Sequence, residues 1–138
     1  MAPQGPRLAL ALLLCLAAAC LPLSTADAQH AAFLKRHLDF PKSGAENDGL
    51  YCTATMRQRS LRCRGRNTFL HTSEARLRAV CGGEPSHGTV TRESLAAFPL
   101  TVCTCLPKGP CLYRGISTTA RVRLVCRDGR PVRYERRI

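Results

Sequence analysis

The sequence predicts a small α+β domain in which three helices come first and an antiparallel sheet follows. Three observations carry this. Apolar residues recur at helical intervals in the first half, they alternate two by two in the second half, and cysteines run through both. The chain has 138 residues, with 21 Lys+Arg against 9 Asp+Glu, nine cysteines and no tryptophan. It is too short for two ordinary domains and too rich in cysteine for a routine cytosolic enzyme. Its 45% hydrophobic content excludes disorder throughout. The net charge of +12 points to polyanionic partners, either nucleic acid phosphates or anionic membrane. Aromatic residues make up only 5%, which argues against binding through a broad stacking surface.

Leu8 to Leu23 is an uncharged apolar run of 16, preceded by Arg7 and followed by small residues at Ala26 and Ala28. A basic start, a short apolar core and an A-x-A site are the parts of a secretory signal peptide. The run falls short of the roughly 20 residues that span a bilayer, and Pro22 breaks its end. The expected division is a signal peptide at 1–28 and one domain at 29–138. That domain keeps the +12 charge and seven cysteines: Cys52, Cys63, Cys81, Cys103, Cys105, Cys111 and Cys126. In a secreted chain these read as a disulfide framework with one thiol left over. Zinc fits poorly, because Cys103-x-Cys105 lacks the two-residue ligand gap and a second pair. No metal or cofactor is expected.

The first helix is read over Ala31 to Leu38, with Phe33, Leu34, His37 and Leu38 on one face, and Pro41 ends it. Lys42 to Gly49 is a polar linker. A second helix spans Leu50 to Leu61, with Cys52 and Met56 four apart and Arg57, Arg59 and Arg62 towards its outer side. Ser73 caps a third, with Glu74 in its first turn and Leu77, Val80 and Cys81 buried, and Gly82-Gly83 closes it. Then the period changes. Phe98, Leu100 and Val102 alternate towards Cys103. Ala120, Val122, Leu124 and Cys126 alternate with Arg121 and Arg123 as a half-buried strand. Asp128-Gly129 is a hairpin turn, after which Val132 and Tyr134 continue a strand.

Taken singly, a histidine on an apolar helical face such as His37 reads as structural, and the arginines as solvated charge. The combination says more. Phe33-x-x-x-His37-x-Asp39, then Tyr51-Cys52, then Cys63-Arg64-x-x-Asn67-Thr68-Phe69-x-His71, then Pro131-Val132 resembles the pancreatic-type ribonuclease (ribonuclease A) superfamily across residues 31 to 135. The resemblance implies the ribonuclease A-like fold, three helices on a curved antiparallel sheet. It also implies three disulfides, Cys52–Cys103, Cys63–Cys111 and Cys81–Cys126. No cysteine lies between Cys81 and Cys103, which is similar to the angiogenin and avian/reptilian leukocyte-ribonuclease branch. Met56-Arg57-x-Arg59-x-Leu61 is similar to angiogenin's basic segment. Cys105 has no counterpart. It is left to be free, to pair between molecules, or to compete with Cys103 for Cys52.

What the resemblance implies chemically is in-line attack of a ribose 2′-hydroxyl on its own phosphate. One histidine takes the hydroxyl proton, a second protonates the departing 5′-oxygen, and a lysine stabilises the phosphorane. Two groups titrating near neutrality are needed. His37 matches the first histidine, Thr68 the threonine that reads a pyrimidine edge, and Asn67 and Phe69 its framework. His71 matches a structural histidine. Arg36, Arg66, Asn67, Thr68 and Tyr134 are the implied substrate-binding residues. Two positions depart from the pattern. Arg64 stands where the lysine is expected, and a guanidinium fork is not a compact ammonium. Arg133 stands where the second histidine is expected, and arginine holds its proton above pH ~12.

The reading that follows is a secreted cationic protein that binds RNA and other polyanions, with endoribonuclease activity weak or lost. Seventeen of the twenty basic residues after position 28 are arginine, which suits phosphate and also lipid headgroups and bacterial surfaces. A host-defence or angiogenin-like role follows, with an anionic membrane or a cell-surface receptor as further partners and a monomer as the expected state. The alternative is an active pyrimidine-preferring endoribonuclease that forms 2′,3′-cyclic phosphates, with Arg64 and Arg133 serving alongside His37.

Overall fold

The computed structural model describes residues 24–61, 63, 65–82 and 88–138. Residues 1–23, where the signal peptide is expected, and Arg62, Arg64, Gly83 and His87 lie outside the described residues. In chain order the elements are α1 (Thr25–His37), α2 (Asp48–Gln58), β1 (Arg66–Leu70), α3 (Glu74–Val80), β2 (Thr89–Glu93), β3 (Phe98–Cys105), β4 (Tyr113–Ala120), β5 (Val122–Arg127) and β6 (Arg130–Arg137). The strands form two antiparallel sheets, β1-β3-β4 and β2-β5-β6. This is the α+β, ribonuclease A-like class the sequence predicts.

Helix α1 buries Ala26, His30, Phe33 and His37, a spacing of four, three and four that keeps all of them on one stripe. It begins before Ala31, because the Ser24 hydroxyl accepts the Asp27 amide at 3.0 Å and the Asp27 carboxylate pairs with Arg130. Its end hands the chain to β1, where the Asp39 amide donates to the Leu70 carbonyl at 3.1 Å. Helix α2 starts at the Asn47 side chain, which accepts the Leu50 amide, and buries Tyr51, Cys52, Thr55 and Met56. Its first turn lies on β4 so closely that a Cβ at Gly115 would overlap the Asp48 carbonyl. Helix α3 is capped by Ser73 and buries Leu77, and its end runs into Gly82 at φ +85°.

Two apolar clusters hold these layers together. One joins Phe33, Leu70, Leu77, Phe98, Leu100, Val122 and Leu124 around Cys81 and Cys126, and the other joins Tyr51, Met56, Phe69 and Tyr113 around Cys52 and Cys103. The structure bonds Cys52 to Cys103 and Cys81 to Cys126.

The structure departs from the sequence reading in several places. Cys63 is joined to Cys105 and not to Cys111, which is a free, exposed thiol. The reason is register. β1 and β3 pair Arg66 with Thr104, and the Cys105 amide donates to the Gly65 carbonyl at 2.9 Å. Cys105 therefore lies directly across from the turn carrying Cys63, their Cα atoms 5.8 Å apart. Arg59 is not on an outer face. It turns inward to the Lys35 carbonyl at 2.9 Å and to the Asp39 carboxylate at 3.5 Å. The alternating run from Ala120 to Cys126 is two strands rather than one, broken at Arg121.

Candidate functional site

His37 closes α1 on its buried stripe and is 8% exposed, while the neighbouring Arg36 faces solvent. Its Nδ1 donates to the Thr68 carbonyl at 2.8 Å. A carbonyl only accepts, so the proton sits on Nδ1 and Nε2 carries the lone pair. Burial, opposed by the Thr68 carbonyl and helped by the Arg36 charge, pushes this imidazole down to about 4. His37 is therefore a neutral proton acceptor at pH 7.

Strand β1 supplies the floor. The Asn67 side chain donates to the Arg36 carbonyl at 2.9 Å, satisfying an acceptor that the end of α1 leaves open. Thr68 is buried next to His37, and its side chain meets the Tyr134 phenol, which burial raises above its ordinary range against that hydrogen bond. The Tyr134 ring lies 5.5 Å from the His37 ring.

Strand β6 supplies the opposite wall. The Arg133 side chain is 71% exposed and only loosely paired with Glu135 at 3.8 Å. Glu135 also meets Arg123 Nε at 2.9 Å, off the N–H axis, as an ion pair rather than a hydrogen bond. Between the walls lies a cleft of about 710 Å³. Lys35, Arg36 and His37 line it from α1, Met56, Ser60 and Leu61 from the end of α2, Arg66, Asn67 and Thr68 from β1, and Arg133, Tyr134 and Glu135 from β6. Four cationic side chains, one carboxylate and a neutral imidazole thus share the cleft.

Of the site residues read from the sequence, His37, Arg36, Arg66, Asn67, Thr68, Arg133 and Tyr134 all meet in this cleft. Arg64 lies outside the described residues. Lys35 and Ser60 were not anticipated. Lys35 had a weak signal as one of two cations in the last turn of α1, and Ser60 had none, since its φ of 54° is a tertiary outcome. Two other histidines are engaged elsewhere. His71 spends both ring nitrogens on the Asp39 carbonyl and the Thr101 hydroxyl, each at 2.8 Å. His30 lies between the Pro131 carbonyl at 2.9 Å and Glu74 at 3.1 Å. Behind the site, Tyr51 donates to the Asp39 carboxylate at 2.5 Å. Burial works against the charged form of Asp39, but hydrogen bonds from Tyr51 and Ser43 and the Arg59 charge outweigh it and hold the carboxyl low.

Fold and cleft together define a class, a small disulfide-linked α+β protein with a cationic cleft around a neutral imidazole. Comparison with known proteins places the chain further. The pancreatic ribonuclease family model matches residues 28–135. A ribonuclease of Chelonia mydas is 36% identical over 120 residues, covering 81% of this chain and 100% of that protein. The angiogenin of Saimiri sciureus is 35% identical, covering 84% of this chain and 83% of its own. The crystal structure of green turtle egg white ribonuclease superposes with a TM-score of 0.70 at 38% identity, over 80% of this chain and 98% of that one. The chain belongs to the pancreatic ribonuclease family.

Proposed function

We propose that this chain is a secreted cationic ribonuclease-family protein that binds RNA and other polyanions in the cleft and cleaves RNA weakly or not at all. One observation carries the reading. The cleft around His37 presents Arg133, a guanidinium, where proton transfer to a leaving oxygen calls for a group that titrates near neutrality. Loss of general acid catalysis costs typically 10²–10⁴-fold. Arg64 in place of a lysine adds to the loss by changing a compact ammonium for a planar fork. The same arginines favour binding, because guanidinium groups contact phosphate oxygens in pairs. Secretion with removal of residues 1–28 belongs to the proposal. The shortened α1 would stay anchored through His30 to Pro131 and Glu74. The arginine-rich surface also suits anionic lipid and bacterial surfaces, which is the basis for a host-defence or angiogenin-like role.

The test is cleavage and binding of single-stranded RNA by the refolded 29–138 chain, with His37→Ala as control. Four phosphate contacts from Lys35, Arg36, Arg66 and Arg133 predict that affinity falls about 50-fold between ~50 and ~200 mM salt, at a slope of about 0.7 per contact. Salt-dependent binding with cleavage no higher than the control supports the reading. Cleavage well above the control supports the second reading, an active pyrimidine-preferring endoribonuclease. That reading is favoured by the free Nε2 of His37 beside the buried Thr68.

A further inference from the structure

Strands β3 and β4 pair Cys105 with Tyr113, and the Leu106 amide donates to the Leu112 carbonyl at 2.9 Å. The turn between them therefore returns Cys111 to the strand end that holds Cys105. Cys105 is bonded to Cys63, and the Cys111 thiol is exposed and free. Cys111 Sγ lies 4.0 Å from the Tyr113 hydroxyl, and Tyr113 belongs to the cluster on which Leu61, Cys63 and Cys105 pack. A hollow of about 330 Å³, with Ser60, Leu61, Cys111 and Tyr113 among its walls, connects the thiol to the chain leading into Cys63. The free thiol and the Cys63–Cys105 bridge thus lie on either side of Tyr113 and Leu61.

Little packs on this turn, and one of its residues is strained. Residues 106–112 are exposed, and Cys111 holds φ at 40°, a left-handed conformation costly for any residue but glycine. The other two bridges offer no such access, since Cys52, Cys103 and Cys126 are 0% exposed and Cys81 is 4% exposed.

We propose that Cys105 and Cys111 exchange as partners of Cys63. The Cys111 thiolate attacks Cys63 Sγ, forming the Cys63–Cys111 bond as the Cys63–Cys105 bond breaks. The electron pair leaves on Cys105, which takes up the proton that Cys111 gave up. One disulfide and one thiol stand on each side, so no oxidant or reductant enters. The exchange re-anchors Cys63, which stands in sequence between Leu61 and Arg66, both lining the cleft. The two isomers therefore hold the cationic wall differently. This consequence rests on the polyanion-binding reading, whereas the exchange itself does not.

The experiment maps the bridges of the full chain under non-reducing conditions, after acid quenching and alkylation with N-ethylmaleimide, by digestion and mass spectrometry. The expected result is both pairings in one preparation, Cys63–Cys105 with Cys111 labelled and Cys63–Cys111 with Cys105 labelled. Cys111→Ser and Cys105→Ser each lock one bridge and leave no cysteine beyond position 28 to label. The two locked forms bind RNA with affinities at least about fivefold apart. A single pairing in the parent chain, or label on both Cys63 and Cys111 in Cys105→Ser, overturns the exchange. Equal RNA affinity of the two locked forms overturns its coupling to the cleft. Absence of RNA binding in every form strikes the polyanion reading, and the bridge map then judges the exchange alone.

Discussion

Replacing Arg133 by histidine puts a group that titrates near neutrality on the wall facing His37. The substitution costs little stability, because the side chain is 71% exposed and its pair with Glu135 at 3.8 Å is a surface contact worth about 0–1 kcal/mol. The effect falls on the chemistry. A positioned general acid contributes typically 10²–10⁴-fold, which is about 3–5 kcal/mol off the barrier. The pH profile gives the sharper signature. His37 accepts a proton only while neutral, so turnover falls as pH drops through about 4. The exposed imidazole at 133 donates only while protonated, so turnover also falls as pH rises through ~6.5. Arg133→His is therefore expected to show a bell centred near pH ~5, with a descending limb that the parent lacks. Initial rates on a polyuridylate substrate from pH ~3.5 to ~8 check this, with His37→Ala in both backgrounds. A rise below about tenfold, or a rise that survives His37→Ala, refutes the assignment of Arg133 as the missing acid.

Other perturbations test the supports of the site. His37 is held below its ordinary 6.5, to about 4, so the unfolded chain takes up the proton first and the fold loses stability as pH falls across that window. The loss amounts to about 3 kcal/mol, and His37→Gln, which keeps a donor for the Thr68 carbonyl, should remove it in urea unfolding compared at pH ~7 and ~4. An unchanged slope would mean that another group carries the acid sensitivity. Tyr51→Phe removes the donor to the buried Asp39 carboxylate and should cost about 1.5–3 kcal/mol in thermal or urea unfolding. A variant as stable as the parent would show that Ser43 and Arg59 suffice to hold Asp39. Gly115→Ala pushes a methyl group into the Asp48 carbonyl and should destabilise by about 1–3 kcal/mol. A neutral result would mean that α2 does not sit on β4 as described.

Much of the fold was legible because local chemistry and tertiary demand agree. Ser73 caps α3, and of the expected stripe Leu77 and Cys81 are buried while Val80 is half-buried. Val122, Leu124 and Cys126 are all buried, as their alternation with arginines indicates, although Val125 on the other face is buried as well. Strand β1 escaped notice because Thr68, Phe69 and Leu70 are buried in succession, leaving no alternation to read. Strand β2 escaped for the opposite reason, since an edge strand with nearly every residue exposed has no apolar face. The early start of α1 rests on the Ser24 cap and also on the Asp27–Arg130 pair, whose partners are 103 residues apart. No local window contains both.

By itself the sequence determined the Ser73 cap of α3, the alternation of Val122, Leu124 and Cys126, the cationic balance and seven of the residues that line the cleft. Tertiary structure alone decided which cysteine stands across from the turn carrying Cys63, because Cys105 and Cys111 are chemically alike and only the β1–β3 register puts one of them opposite Gly65. It also decided that His37 is a neutral acceptor. A histidine at the end of an amphipathic helix can be wet or dry, charged or neutral. Burial under Phe33 and Tyr134, with Nδ1 committed to the Thr68 carbonyl, removes the water that would stabilise its charge.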